Sequence, residues 1–478
     1  MADPDERIRE LESQLAERDA ELARRDERIA EHEARIAKLE AMVEKLRELL
    51  ERNSSNSSMP PSTDRGKNPK RNAKKGKKRG KRGAKKGHKG SHRALLPPEK
   101  VDETHEHFPA ACKGCGGALD AAPHGEPERH QVTEIPPLRA HTTEHQLHSV
   151  ECACGCVTKA ELPQGVTRGA FGPTLVSFVA LLTGVYRLSK RGCADALETL
   201  FGIKMSTGSV SRCEKEVSDA VKASHAEAAA AARQAATGYA DETSWQQEAK
   251  THWLWVLVTS VATVFLIRKG RTKEVAKELL GKFAGTLVSD RMKSYGFWNG
   301  PHQICWAHLI RLFTNLADSD EGTYRHRVGT RVLDAIHDIY TEWRRFQDGE
   351  IRRATLKRRT IDARRVILAE LRFGKQCGER YLGGKCRAVL DYEHALFTFL
   401  FVDDVEPTNN QAERAIRHAV ILRKLSFGTQ SDRGSRFLER IFTVVETLRR
   451  RDADVASFLH EAVLQHRLGR PAPSLLAA

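Results

Sequence analysis

Three acidic residues, each carried by an element of readable type, constrain the fold of this 478-residue chain more than any other feature. Gly238-Tyr-Ala-Asp241-Glu-Thr-Ser-Trp245 is a short apolar approach that delivers a carboxylate, and strand-like Trp253 to Thr259 and Val264 to Ile267 follow it. Gly285-Thr-Leu-Val-Ser-Asp290 ends a second apolar run on an aspartate, and Asn409-Asn-Gln-Ala-Glu413-Arg-Ala-Ile-Arg417 sets a glutamate on a helix. Between them lie a helix from Thr272 to Gly281 and a short strand entering a helix over His302 to Arg311. A long charged helical stretch then runs from about Arg325 to Leu390. Strands and helices in that order predict an α/β domain over residues 235–428, a mixed sheet with flanking helices, with a helical insertion at about 320–400.

Carboxylates suit magnesium or manganese, hard cations that prefer oxygen ligands and keep waters for substrate phosphates to replace. Two such ions held close together support displacement at a phosphodiester. Asp241, Asp290 and Glu413 are therefore the expected metal ligands and catalytic acids, with Asp241 shared between the ions. Each acid alone has a plainer use: Asp241 as a turn cap, Asp290 as the cap of a helix starting at Arg291, Glu413 as a partner of Arg417. The ordered set on the right elements is what points to metal. Arg414, Arg417, Arg423 and Lys424 on the glutamate's segment are candidates to face DNA phosphates, although a solvated basic face explains them equally well. His308 and Arg311, near Trp306, are candidate DNA contacts at the edge of the site, against the alternative of a core histidine.

The net formal charge is +16, and residues 65–93 hold fifteen Lys or Arg and no acid, so the rest of the chain is near neutral. A segment this basic and lacking aromatics buries no core and stays disordered until a polyanion neutralises it. Nucleic acid is the expected partner, with Lys74, Lys75, Lys77, Lys78 and Arg79 at its densest part.

Ahead of it, Ile8, Leu15, Leu22, Ile29, Ile36, Val43 and Leu50 recur every seventh residue, with Leu11, Leu39 and Leu46 in the companion row. That seam predicts a coiled-coil oligomerisation helix over residues 1–52, and Arg18, Arg25 and His32 in the companion row leave the strand number open. Residues 53–97 form the linker. Within 98–165, Cys112-Lys-Gly-Cys115-Gly-Gly has the form of a zinc knuckle. Two sulfurs of Cys152, Cys154 and Cys156 complete the expected zinc ribbon-like module: Cys152 and Cys154, with Cys156 as the alternative. Residues 166–234 read as helical, and Leu200 to Arg212 as helix, glycine turn and a new helix capped near Ser206. That is either a helix-turn-helix contacting DNA through Arg212 or an ordinary helical hairpin. Helices are expected over 429–478. Met1 to Glu12 has no apolar core of a secretory signal, and Gly169 to Tyr186 is read as a buried helix rather than a membrane span, so a cytoplasmic chain is expected.

Asn53-Ser-Ser, Pro60-Pro-Ser62, Gly87-His-Lys-Gly90, the cysteine clusters, Asp241-Glu-Thr, Val288-Ser-Asp290, Cys305-Trp-Ala-His-Leu and Asn410-Gln-Ala-Glu-Arg-Ala-Ile-Arg417 together resemble the transposases of the insertion-sequence 66 family. The resemblance runs along nearly the whole chain, although the second cysteine cluster departs from the family's two-residue spacing. It implies an RNase H-like domain with an Asp-Asp-Glu site at Asp241, Asp290 and Glu413, behind a zinc-binding and helix-turn-helix region and an amino-terminal zipper. It further implies DNA cleavage at transposon ends and strand transfer into target DNA, at the bacterial nucleoid, with accessory proteins of the same mobile element as possible partners. The competing expectation is a catalytically silent DNA-binding regulator derived from such an enzyme; retained carboxylates beside a polyanion count against it.

Overall fold

The computed structural model describes residues 94–136, 138–166 and 169–477, with Arg18, Arg25, His32, Glu33, Ile36 and Leu39 of the heptad segment. Those six are helical and exposed. The rest of the expected coiled coil, and the basic linker with Lys74, Lys75, Lys77, Lys78 and Arg79, lie outside the described residues.

Beyond residue 93 the chain divides into two compact units. The smaller takes in the described residues up to Glu144 together with Asp195–Met205. It is mostly irregular chain: Leu96 is held by the side chains of Arg129 (2.7 Å to its carbonyl) and Gln131, which both donates to and accepts from its backbone. The larger takes in His145–Ala194 and Ser206–Ala478. It begins with a hairpin, β1 (Ser149–Glu151) and β2 (Val157–Lys159).

Four helices precede the main sheet: α1 (Pro173–Ala180), α2 (Lys190–Phe201), α3 (Thr207–Ala220) and α4 (Lys222–Ala232). The apolar run read as a buried helix is one, with Val176, Val179, Ala180 and Leu181 buried and a π-turn at Leu181–Val185. Among the described residues no helix is long and apolar enough to cross a membrane. After α2, Gly202 takes a φ of 68° and Ser206 caps α3 by accepting the Ser209 N–H at 3.1 Å, the expected helix, glycine turn and capped helix.

The main sheet is built from β3 (Thr237–Gln247), β4 (Lys250–Thr259), β5 (Thr263–Arg268), β6 (Thr286–Ser289) and β7 (His302–Ile304), ordered β5-β4-β3-β6-β7. The first three strands form an antiparallel meander, while β6 pairs parallel with β3 and β7 parallel with β6. Trp, Val, Leu, Ile and Thr dominate these strands, side chains that fit a pleated buried surface. Leu254 to Val258 are fully buried, the unbroken apolar run expected where both faces are covered, and every residue of β6 is buried too, Thr286 and Ser289 included. Gly285 lets β6 begin beside β3: a Cβ there would meet the Ala236 carbonyl oxygen at 2.4 Å. The helix α5 (Lys273–Leu280) links β5 to β6.

After β7 come α6 (Trp306–Ala317) and the insertion, α7 (Tyr324–Gln347), α8 (Arg353–Arg359), α9 (Ile361–Gln376) and α10 (Arg380–Leu390). Trp306, expected near the site's edge, instead anchors the insertion: its ring meets Tyr340, Phe397 and Phe399 edge-on, and its indole N–H donates to the Leu396 carbonyl at 2.7 Å. A fully apolar ring with one polar atom is best satisfied in such a core.

The last helices are α11 (Asn410–Ser426), α12 (Asp432–Arg450) and α13 (Val455–Arg467). Those after residue 428 are not peripheral. Helix α13 packs on α1 and α3, and α12 covers the open edge of β5. The outward N–H groups of Thr263, Phe265 and Ile267 donate to Thr447 (3.1 Å), Thr443 (3.0 Å) and Glu439 (2.6 Å), three buried acceptors spaced four apart on one helix face. An unpaired strand edge is costly to bury, and this ladder of side chains satisfies it.

Candidate active site

The parallel register pairs Thr237, Gly238 and Tyr239 of β3 with Thr286, Leu287 and Val288 of β6. Carried two residues further, it sets Asp241, midway along β3, beside Asp290, the residue after the end of β6, and on the same face, because side chains alternate with period two. Asp241 accepts the Glu242 N–H through Oδ1 at 2.9 Å. Asp290 accepts the Met292 N–H through Oδ1 at 2.9 Å, but no helix starts at Arg291 for it to cap, the next helical turn being Lys293–Tyr295, and its Oδ2 lies 3.9 Å from the Arg271 guanidinium.

Glu413 arrives from the far side of the insertion, and the chain that brings it is tied down at several points. Tyr239 on β3 donates its hydroxyl to the Asp404 carbonyl and accepts the Glu406 N–H. The Trp306 N–H donates to the Pro407 carbonyl at 2.8 Å. Asn409, almost wholly buried, donates its side-chain amide to the Ala240 carbonyl at 2.8 Å and its backbone N–H to the Cys305 sulfur at 3.2 Å. The first turn of α11, with Glu413 in it, is thereby fixed against the strand that carries Asp241.

These contacts bring the three acids into one electrostatic neighbourhood. Burial first, then the charges of Glu242, Asp290 and Glu413, hold the Asp241 carboxyl well above the usual carboxylate range. A half-buried carboxylate crowded by others favours a proton or a cation. Two arginines are supplied: Arg291, next to Asp290 and interacting with its charge, and Arg271, which donates to the buried Glu242 (Nε to Oε1, 2.9 Å), lies 4.7 Å from the Trp253 ring centre, and faces Asp290. Tyr295 donates its hydroxyl to the other oxygen of Glu242 at 3.0 Å. Burial nevertheless pushes Glu242 up to about 7, with Asp290 adding to the effect and Arg271 opposing it. Arg271 is thus spent largely on Glu242, and the aspartate pair keeps an excess of negative charge. Oxygen donors with that excess fit a hard divalent cation.

His308 and Cys305 border the same space. One ligand atom each from Cys305, His308 and Glu413 lie within 4.8 Å of one another. Burial lowers the His308 pKa, against the charges of Asp290 and Glu413, and raises the Cys305 thiol to about 11. His308 is half-buried, as is Arg311 beside it.

The basic residues of α11 separate into two groups. Arg414, Arg417 and Lys424 are exposed. Arg423, expected to face phosphates with them, is buried and points into the domain, donating to the hydroxyls of Thr243 (3.1 Å) and Ser244 (2.6 Å) on β3. The reason is helical period: Ala412, Ala415, Ile416, Ala419 and Leu422 form the buried stripe, and Arg423 falls at its end. Arg212 on α3 is exposed and donates to the Ser209 hydroxyl at 2.8 Å.

The cysteine clusters form similar turns, one in each unit. In the first, Cys112 donates its N–H to the Gly117 carbonyl and accepts at its own carbonyl from Gly116 (φ 75°). In the second, at the tip of the β1–β2 hairpin, Cys152 donates to the Cys156 carbonyl and accepts from Gly155 (φ 80°). Backbone N–H groups, chiefly those of Cys115 and Cys154, lower the Cys112 and Cys152 thiols. In this pairing Cys154 occupies the position of Cys115, each followed by a glycine of positive φ, one residue earlier in the turn.

Comparison with known proteins decides the family. The model of the family described as Transposase IS66 family matches residues 168–436, more than half of the chain. The chain belongs to that family. The match to this IS66 chain takes in all three acids, the insertion and the helices before the sheet. Residues 7–94 match a further family, described as of unknown function (DUF6444). A stretch of 182 residues is 30% identical to an uncharacterized protein, y4qI, of Sinorhizobium fredii. It covers 36% of the IS66 chain and 32% of that protein, so the chain spans about a third of this relative's length.

Proposed function

We propose that the chain is a DNA transposase whose RNase H-like domain cleaves transposon ends and joins the freed 3' hydroxyl to target DNA, using Asp241, Asp290 and Glu413 as catalytic acids. The strand order, three antiparallel strands followed by two parallel to the first, supports the RNase H-like reading. The observation that carries the proposal is the convergence on Asp241, whose carboxyl feels both Asp290 and Glu413 although some 170 residues separate it from the glutamate in sequence.

In this reading the three carboxylates hold magnesium or manganese, which supplies activation of the attacking oxygen and stabilisation of the leaving one. The chain's own part is positioning. Asp241 within β3 and Asp290 just past β6 each accept a backbone N–H, and Asn409 holds the helix of Glu413 to β3. Glu242, which also accepts the Tyr295 hydroxyl, holds Arg271 closer (2.9 Å) than Asp290 does (3.9 Å). The exposed Arg414, Arg417 and Lys424 supply phosphate attraction beside the site, and Arg212 and the basic linker extend it. Oligomerisation through the heptads, structural zinc at the cysteine turns, a nucleoid location and accessory proteins of the same element belong to the same proposal. The lowered thiols of Cys112 and Cys152 support the zinc, since the thiolate is the ligand.

The test is magnesium-dependent cleavage of a DNA end from the source element, comparing the parent with Asp241→Ala. Equal cutting by both removes the site assignment. Cutting without joined product, when a target plasmid and a 3' hydroxyl end are supplied, reduces the protein to a nuclease.

A further inference from the structure

We propose that Cys305, His308 and Glu413 form a second metal site of softer character, for an ion of the zinc class. Three donor atoms, one from each residue, lie within 4.8 Å of one another. Cys305 caps α6 and His308 follows one turn later, so both project from one end of that helix, while Glu413 comes from the first turn of α11. Two details mark the cluster as a place for an occupant. His308 Nδ1 is buried and has no hydrogen-bond partner. The Cys305 sulfur accepts the Asn409 backbone N–H at 3.2 Å, the kind of outer contact that steadies a ligating thiolate.

Thiolate, imidazole and carboxylate are a borderline-soft set that suits zinc and is poorly matched to magnesium, which prefers oxygen and retains water. Three protein ligands with a fourth position open is the pattern of an exchangeable rather than a closed structural site. Binding displaces the Cys305 thiol proton to solvent, so affinity rises with pH. The consequence rests on the transposase reading above: zinc bound here engages the Glu413 carboxylate and competes for it with the magnesium-supported reaction. The site is then an inhibitory one, filled when zinc is plentiful.

The experiment titrates the full chain with cobalt(II) in place of zinc, counting equivalents by thiolate-to-cobalt charge-transfer absorption in the parent, Cys305→Ser and His308→Gln. The cysteine turns at 112–156 contribute the same signal to all three, so the difference isolates this site. One equivalent fewer in each variant, with melting like that of the parent, is the expected result; equal counts overturn the proposal. Should Cys305→Ser fail to fold, the half-buried His308→Gln decides alone. In a parallel assay zinc suppresses magnesium-supported cleavage by the parent and a zinc-selective chelator restores it. A parent that never cuts DNA counts against the transposase reading, while the cobalt count still settles this site.

Discussion

The side chain of Asn409 donates to the carbonyl of Ala240 at 2.8 Å, joining the residue before Asp241 to the cap of the helix that carries Glu413. Its own carbonyl then accepts the Glu413 N–H at 3.1 Å. One buried amide therefore sets the spacing between two acids far apart in sequence. Replacing it by alanine leaves the Ala240 oxygen unpaired, at about 1–3 kcal/mol. Cleavage by Asn409→Ala should fall about a hundredfold, because misplacement of a catalytic group by an ångström costs that much. Thermal melting alongside a cleavage assay separates the two effects; a variant that melts lower yet cuts as fast would show that Asn409 does nothing for Glu413.

Glu242 makes stability depend on pH in a definite direction. Its pKa in the fold is about 7 against an ordinary 4.5, so between those values the native state keeps a proton that the unfolded chain has lost. Its contribution is complete below about 4.5 and is lost as pH rises through about 7, an effect on the order of 1–3 kcal/mol. Asp241, also raised, acts in the same sense. Glu242→Gln should flatten the decline, read as urea midpoints at several pH values. Magnesium opposes it, since the ion takes the ionised acids, so the gain in melting temperature on adding magnesium should grow with pH. A gain independent of pH would mean that the ion binds elsewhere.

The sheet was readable because β4, β5 and β6 are apolar β-prone runs with turn signals at their ends, whereas the polar second half of β3, Glu242 to Gln247, gave no such signal. Arg271 was not readable either: an arginine after a glycine turn carries no local pattern, and its meeting with Glu242 and Asp290 exists only once β3, β5 and β6 are assembled. Arg423 was legible and misread. The buried stripe from Ala412 to Leu422 predicts its inward face, but counting it with the neighbouring arginines put composition ahead of period. Thr443, Thr447 and Glu439 look like an ordinary polar helix face until the strand edge they satisfy is in place.

Arg271 and Glu242 should behave as a pair. Removing the arginine strands a buried carboxylate, and breaking such a pair from one side costs about 3–5 kcal/mol when fully buried, less here because the guanidinium is 30% exposed. Arg271→Met should therefore destabilise more alone than in combination with Glu242→Gln. A double-mutant cycle by chemical denaturation measures the coupling, and strictly additive losses would argue that the contact is electrostatically idle.

The two groups of arginines on α11 should give opposite signatures. Arg414→Ala and Arg417→Ala, at exposed positions, should leave melting nearly unchanged, weaken DNA binding and each reduce the salt slope by about one. Arg423→Met should do the reverse, lowering stability through the loss of its buried hydrogen bonds to Thr243 and Ser244 while the salt slope stays the same. A changed slope for Arg423→Met would mean that the side chain leaves β3 when DNA binds.

The edge of β5 offers a test of the fold itself. Thr443→Val keeps the shape of the side chain and removes the acceptor for the Phe265 N–H, leaving a buried donor unpaired at about 1–3 kcal/mol. Thr443→Ser keeps the hydroxyl and gives up one methyl, about 0.8 kcal/mol. The valine variant should thus be the less stable of the two, although it is the more apolar and the residue is completely buried. Amide exchange at Phe265 supplies the local readout, because its N–H has no strand partner on that side. Faster exchange there in Thr443→Val, with little change on β3, is expected. Equal exchange in both variants would mean that α12 merely covers the edge by packing.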